Sequence, residues 1–132
     1  MSLKVLIIDD DEVVLYIHKL IVSSSKLSVN PITFLNGKVT IEFLNTDFSS
    51  DTHYLLLLDI NMPIMNGWEV LDAIENLEKK DNISTIIITS SINYADKEMA
   101  SKYSHVISYI EKPLSEGLCK EFKTLPPIDK FF

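Results

Sequence analysis

The chain predicts an α/β domain, a five-stranded parallel sheet doubly wound by helices. Three observations predict it. Five short apolar runs alternate with five segments of helical period. The runs are continuously apolar rather than alternating, as in strands that helices cover on both faces. Finally, 132 residues at 46% hydrophobic and 23% charged fit a single soluble globular domain.

The first strand is Leu3–Ile8, ending at Asp9. A helix follows over Glu12–Ser23, with Asp11 as its N-cap and Val13, Val14, Ile17, Leu20 and Ile21 on its expected apolar face. Asn30-Pro31 punctuates the chain before a short second strand, Ile32–Leu35. Asn36 or Gly37 opens a second helix running to about Leu44. Tyr54–Leu58 is the most apolar run and ends at Asp59. A loop, Ile60–Gly67, leads into a helix over about Trp68–Lys79 with Val70, Leu71, Ile74 and Leu77 on one face. Ile83–Thr89 is the fourth strand, Tyr94–Tyr103 a polar helix, and Val106–Ile110 the fifth strand, ending at Glu111-Lys112-Pro113. The last helix, Leu114–Leu125, contains Gly117 and stops before Pro126-Pro127. The expected domain is therefore 1–125, with a tail at 126–132 whose Ile128, Phe131 and Phe132 either dock on the body or begin a linker.

Composition excludes several functions. The net charge is −7, and every basic residue is Lys. An acidic chain without Arg is ill suited to neutralise phosphates or to read bases by bidentate contacts, so neither nucleic acid nor an acidic membrane surface is an expected partner. The longest apolar runs, such as Leu55–Leu58, fall far short of a span of about 20 residues. A lone cysteine, Cys119, forms no internal disulfide, and no secretory h-region is visible, which together point to the reducing cytoplasm. Nothing in the sequence predicts more than a monomer or weak dimer.

In an open parallel sheet, ligands bind beyond the carboxyl ends of the strands. Those ends carry Asp9-Asp10-Asp11, Asp59, Thr89-Ser90-Ser91 and Glu111-Lys112-Pro113. If the first, third and fourth strands are neighbours, Asp9, Asp10 and Asp59 share one cleft. Carboxylates at close range raise each other's pKa, and a hard cation such as Mg²⁺ relieves the repulsion. A lysine and a hydroxyl beside them complete a site for a phosphoryl group, whose transfer needs chiefly positioning and charge neutralisation. Asp59, alone at the end of the most apolar strand, is the expected acceptor; the adjacent pair is the expected metal site.

These residues resemble the receiver domain of two-component response regulators. The matching stretches are Val5–Asp11, Leu57–Gly67 with its Asp-x-x-Met-Pro-x-Met-x-Gly pattern, Ile87–Ser90 and Tyr109–Pro113. The resemblance covers about Leu3 to Phe122 and implies the flavodoxin-like receiver fold with strand order 2-1-3-4-5. It implies that Asp59 is phosphorylated by a sensor histidine kinase or histidine phosphotransfer protein, in a phosphorelay that switches a protein-interaction surface. It further implies that Asp10 ligates Mg²⁺ directly, that Asp9 holds a metal-bound water, and that Asn61 offers its backbone carbonyl. Thr89 and Lys112 would bond phosphoryl oxygens, Tyr109 would be the switch aromatic, and Lys112–Pro113 would be cis. One departure is Ser104-His105 where the family carries a small Gly-Ala pair; another is the uncharged Asn61 and Ser91 beside the water's path.

Other readings compete. An aspartyl phosphatase of the haloacid-dehalogenase type needs a second acid two residues after the nucleophile, where this chain has Asn61. A flavodoxin-like FMN carrier wants a phosphate-binding loop after the first strand, where this chain has three acids. A degenerate receiver would have lost one of the key positions. His18, His53 and His105 share no metal-ligand spacing.

Overall fold

Seven consecutive buried residues make β3 (Thr52–Leu58), and this strand becomes the middle of the sheet. The computed structural model describes residues 1–62, 64–78, 80–90 and 92–132. Pro63, the proline of the Asp-x-x-Met-Pro pattern, and Lys79 and Ser91, both named above, lie outside the described residues. The other strands and α-helices are β1 (Ser2–Ile8), α1 (Glu12–Ser24), β2 (Ile32–Phe34), α2 (Gly37–Asp47), α3 (Gly67–Glu75), β4 (Ile83–Thr89), α4 (Tyr94–Ala100), β5 (Val106–Glu111) and α5 (Glu116–Phe122), with short 3-10 turns at Lys80–Asn82 and Ile128–Phe131. All strands pair in parallel in the order β2-β1-β3-β4-β5, as expected.

Strand side chains alternate between faces, so each strand feeds two cores. Leu6, Ile8, Leu56 and Leu58 face one side with Leu44 of α2 and Val70, Leu71 and Ile74 of α3. Val5, Ile7, Leu55 and Leu57 face the other, with Leu15 and Val22 of α1 and Cys119 and Phe122 of α5. Fully burying one such aliphatic side chain is worth about 1.5–3 kcal/mol, which is why the unbroken apolar runs become central strands.

Asp11 caps α1 as the sequence predicts, Asn36 rather than Gly37 caps α2, and the caps of the other three helices are Asn66, Asn93 and Ser115. Each of these side chains accepts a backbone N–H at the start of its helix. Asn66 and Glu69 form a capping box on α3. Three helices are shorter than their periodicity predicts. The α3 helix ends at Glu75, α4 at Ala100 rather than Tyr103, and α5 covers Glu116–Phe122.

The face of α1 is a correction. Its buried residues are Leu15, His18 and Val22. Val13, Ile17 and Leu20, assigned to the apolar face, are instead 65%, 47% and 53% exposed, and Tyr16 beside them is 65% exposed. The helix carries apolar residues around most of its circumference, so periodicity alone selected the wrong side.

Two of the buried histidines, His53 and His105, bond to neighbouring elements. Ser84 Oγ lies 2.8 Å from His53 Nε2. His105 Nε2 donates to the Leu71 carbonyl at 3.2 Å, leaving Nδ1 to accept from Thr85 Oγ1 at 2.8 Å. This ring therefore ties α3 to β4 just before β5 begins, and burial lowers its pKa. Beyond α5, Ile128 is fully buried in the second core and Phe131 lies 5.9 Å from the His53 ring, so the residues after 126 dock on the body.

Candidate functional site

The strand order puts the carboxyl ends of β1, β3 and β4 side by side. Backbone hydrogen bonds continue the sheet past the strand ends. The Asp9 N–H donates to the Phe34 carbonyl at 3.1 Å and the Asp59 N–H to the Ile8 carbonyl at 3.0 Å. Both aspartates thereby inherit the rigidity of the sheet. Asp9 Oδ1 also accepts the Asp11 N–H at 3.0 Å, and Asp59 Oδ1 accepts the Asn61 N–H at 3.2 Å. Asp11 itself is turned away as the α1 cap, accepting from Val13 and Val14.

Asp9, Asp10 and Asp59 offer carboxylate oxygens that all lie within 4.8 Å of one another. Asp9 and Asp59 are buried, and Asp10 is exposed. Lys112 reaches in from the end of β5, its Nζ 2.8 Å from Asp9 Oδ2 and 3.7 Å from Asp59 Oδ2. The Lys112 N–H donates to the Thr89 carbonyl at 2.7 Å, which fixes the lysine beside the end of β4. Thr89 is buried at that end. Lys112–Pro113 is cis, as the resemblance implies.

Burial pushes the Asp59 carboxyl above its ordinary value, and the Asp9 and Asp10 carboxylates add to this while Lys112 opposes it. Burial alone would lower the Lys112 ammonium, but the hydrogen bond to Asp9 and the fields of Asp59, Asp9 and Asp10 hold it above its ordinary value. The cleft is thus a cluster of carboxylates only partly neutralised by one cation. Its donor set of hard oxygens, one face open at Asp10, suits a divalent ion that keeps several waters.

Of the other predicted residues, Asn61 touches the site through its backbone N–H on Asp59 Oδ1, and Tyr109 stands farther out. Asn61 is exposed at the head of the β3–α3 loop. Tyr109 is half-buried on β5, packed against the first core and lining the cleft between β5 and α4 with Lys97, Ala100 and Ser101.

Gly67, which ends the Asp-x-x-Met-Pro-x-Met-x-Gly stretch but was given no role there, supports the site. A Cβ there would lie 2.5 Å from Ile60 Cα and 3.0 Å from the Asp59 carbonyl oxygen. The start of α3 thus presses on the backbone of the central aspartate, and the Gly67 N–H bonds the Ile60 carbonyl at 2.8 Å. The available signal was a glycine at the first turn of a helix, where it costs stability unless close approach demands it.

Comparison with known proteins agrees with this geometry. The chain is 28% identical over 131 residues to the response regulator Rcp1 of Synechocystis sp., covering 97% of this chain and 87% of that protein. It is 34% identical over 85 residues to a probable cyclic di-GMP phosphodiesterase of Vibrio cholerae, covering 64% of this chain and 18% of that protein. The chain spans about half or less of the length of several curated relatives that it matches. Among solved structures, a response regulator receiver protein from Dyadobacter fermentans matches with a TM-score of 0.82 at 25% identity, over 92% of this chain and 95% of that one. The family model described as the response regulator receiver domain matches residues 5–121. Its carboxylate cleft, its strand order and that match together place the chain in the response regulator receiver domain family, the phosphoacceptor signalling domains of phosphorelays.

Proposed function

We propose that Asp59 is the phosphoacceptor of this chain and that a histidine kinase or histidine phosphotransfer protein is its donor. One observation carries this: Asp59, buried at the end of the central strand, shares a 4.8 Å carboxylate cluster with Asp9 and Asp10 and lies 3.7 Å from the Lys112 ammonium. An Asp59 carboxylate oxygen attacks the phosphorus of a phosphohistidine. The phosphorus–nitrogen bond breaks, the imidazole leaves with its electron pair, and an acyl phosphate forms. Hydrolysis later returns the carboxylate and inorganic phosphate.

Asp9, Asp10 and Asp59 would hold Mg²⁺, with the Asn61 carbonyl as a further ligand; the hard oxygen set fits that ion. Bound there, Mg²⁺ supplies positive charge that lowers the repulsion between carboxylates and the incoming phosphoryl oxygens. Lys112 exchanges its contact with Asp9 for a phosphoryl oxygen, and the Thr89 hydroxyl donates to another. Displacement of Thr89 toward the phosphoryl group frees space beside β5, and Tyr109 turns inward to occupy it, changing the surface that a protein target reads. The chain works as a signalling module in the cytoplasm rather than as an enzyme with turnover on an external substrate. Among the described residues no helix is long and apolar enough to cross a membrane.

Acetyl phosphate with Mg²⁺ tests this directly. Intact-mass measurement is expected to show the gain of one phosphoryl group in the parent chain and none in Asp59→Asn. Equal labelling of both proteins would overturn the assignment.

A further inference from the structure

Two described non-glycine residues have a positive φ, Lys26 at 61° and Ile64 at 69°. Ile64 is the anomalous one. A β-branched side chain crowds its own backbone in the left-handed region, so the conformation is unfavourable for isoleucine. Packing inside the chain does not compensate, because Ile64 is 76% exposed. Described residues on either side of it are anchored. Met62 is buried in the first core, Met65 packs against that core, and the Gly67 N–H closes the base of the loop on the Ile60 carbonyl at 2.8 Å. The flanking anchors hold the backbone while the apolar side chain is displayed to solvent on the loop that leaves Asp59. Strain retained beside a reactive group, with no intramolecular return, marks a position with a role outside the chain.

Resting on the phosphoacceptor assignment above, we infer that Ile64 is a specificity-determining contact for the protein that donates the phosphoryl group. A donor imidazole has to come within bonding distance of the Asp59 carboxylate, so the donor surface around that imidazole passes over the β3–α3 loop. A donor with an apolar recess there buries Ile64, and one with a charged or polar surface does not. A donor as small as acetyl phosphate reaches Asp59 without meeting Ile64.

The test compares the parent chain with Ile64→Asn, which tolerates a positive φ and removes the apolar contact, and with Ile64→Leu, which keeps it. The protein donor is whichever of a panel of autophosphorylated histidine kinases and phosphorylated histidine phosphotransfer domains labels the parent chain fastest. Ile64→Asn is expected to slow transfer from that donor about tenfold, through KM, and Ile64→Leu to stay near the parental rate. Labelling by acetyl phosphate is expected to stay within about twofold for both variants, and the melting temperature of Ile64→Asn to equal or exceed that of the parent. Unchanged transfer to Ile64→Asn overturns the inference, and so does a parallel loss with acetyl phosphate. Labelling of the parent by acetyl phosphate but by no donor in the panel also overturns it, leaving the phosphoacceptor assignment standing. Failure of acetyl phosphate on the parent removes both.

Discussion

Asp59→Asn is expected to raise the melting temperature in metal-free buffer at pH 7. The pairwise charge interactions of Asp59 nearly cancel. Asp9 and Asp59 offer oxygens within 4.8 Å of each other, which at an effective dielectric of about 20 is a repulsion of about 3.5 kcal/mol. Asp10 is exposed, so its share is screened to about 1 kcal/mol. Lys112 Nζ, 3.7 Å away, returns about 4.5 kcal/mol of attraction. What remains is the cost of burying the charge, the leading reason that the Asp59 carboxyl titrates above 3.8. Asparagine removes that charge and keeps an oxygen for the Asn61 N–H, while Lys112 keeps its 2.8 Å bond to Asp9. The variant should gain about 1–2 kcal/mol, a rise in Tm of about 3–8 °C for a chain of this size.

A raised carboxyl pKa means that the folded state binds the proton more tightly, so ionised Asp59 opposes folding. That penalty is complete above the folded pKa and disappears below the unfolded value of 3.8. The advantage of the variant should therefore shrink as pH falls from 7 toward 4. Mg²⁺ at tenfold over its dissociation constant should stabilise the parent by about 1.4 kcal/mol and the variant far less. Thermal unfolding followed by circular dichroism, with chelator or Mg²⁺, measures all of this. A variant that melts below the parent in chelator would refute the charge accounting.

Two further outcomes are expected. Gly67→Ala should cost at least about 1–3 kcal/mol in chemical denaturation and weaken acetyl phosphate labelling, because its methyl group would meet the Ile60 and Asp59 backbone at 2.5 and 3.0 Å. Ile128→Ala should cost about 2–4 kcal/mol although it lies outside residues 5–121, since its side chain is fully buried; an unchanged denaturation midpoint would mean that the C-terminal segment adds nothing to the fold.

Most of the site was legible in the chain because parallel topology imposes it. Every strand of such a sheet points its carboxyl end the same way, so the acids after Ile8 and Leu58 and the lysine after Glu111 were bound to meet once the strand order held. The partner of Lys112 was not legible. That the ammonium sits nearer Asp9 than Asp59 depends on side-chain reach across the end of β4, which no spacing in the sequence encodes.

The sequence by itself determined the sheet, its two covered faces, the Asp11 cap of α1 and the residues that gather at one end. These follow from local period, strand length and the chemistry of single side chains. Tertiary structure alone decided which side of α1 is buried, where the C-terminal segment docks and which backbone Gly67 supports. Each of these depends on what a neighbouring element offers. A helix with apolar residues around most of its circumference turns toward whichever core its anchors reach, and here Leu15, His18 and Val22 face the sheet while Val13, Ile17 and Leu20 face water.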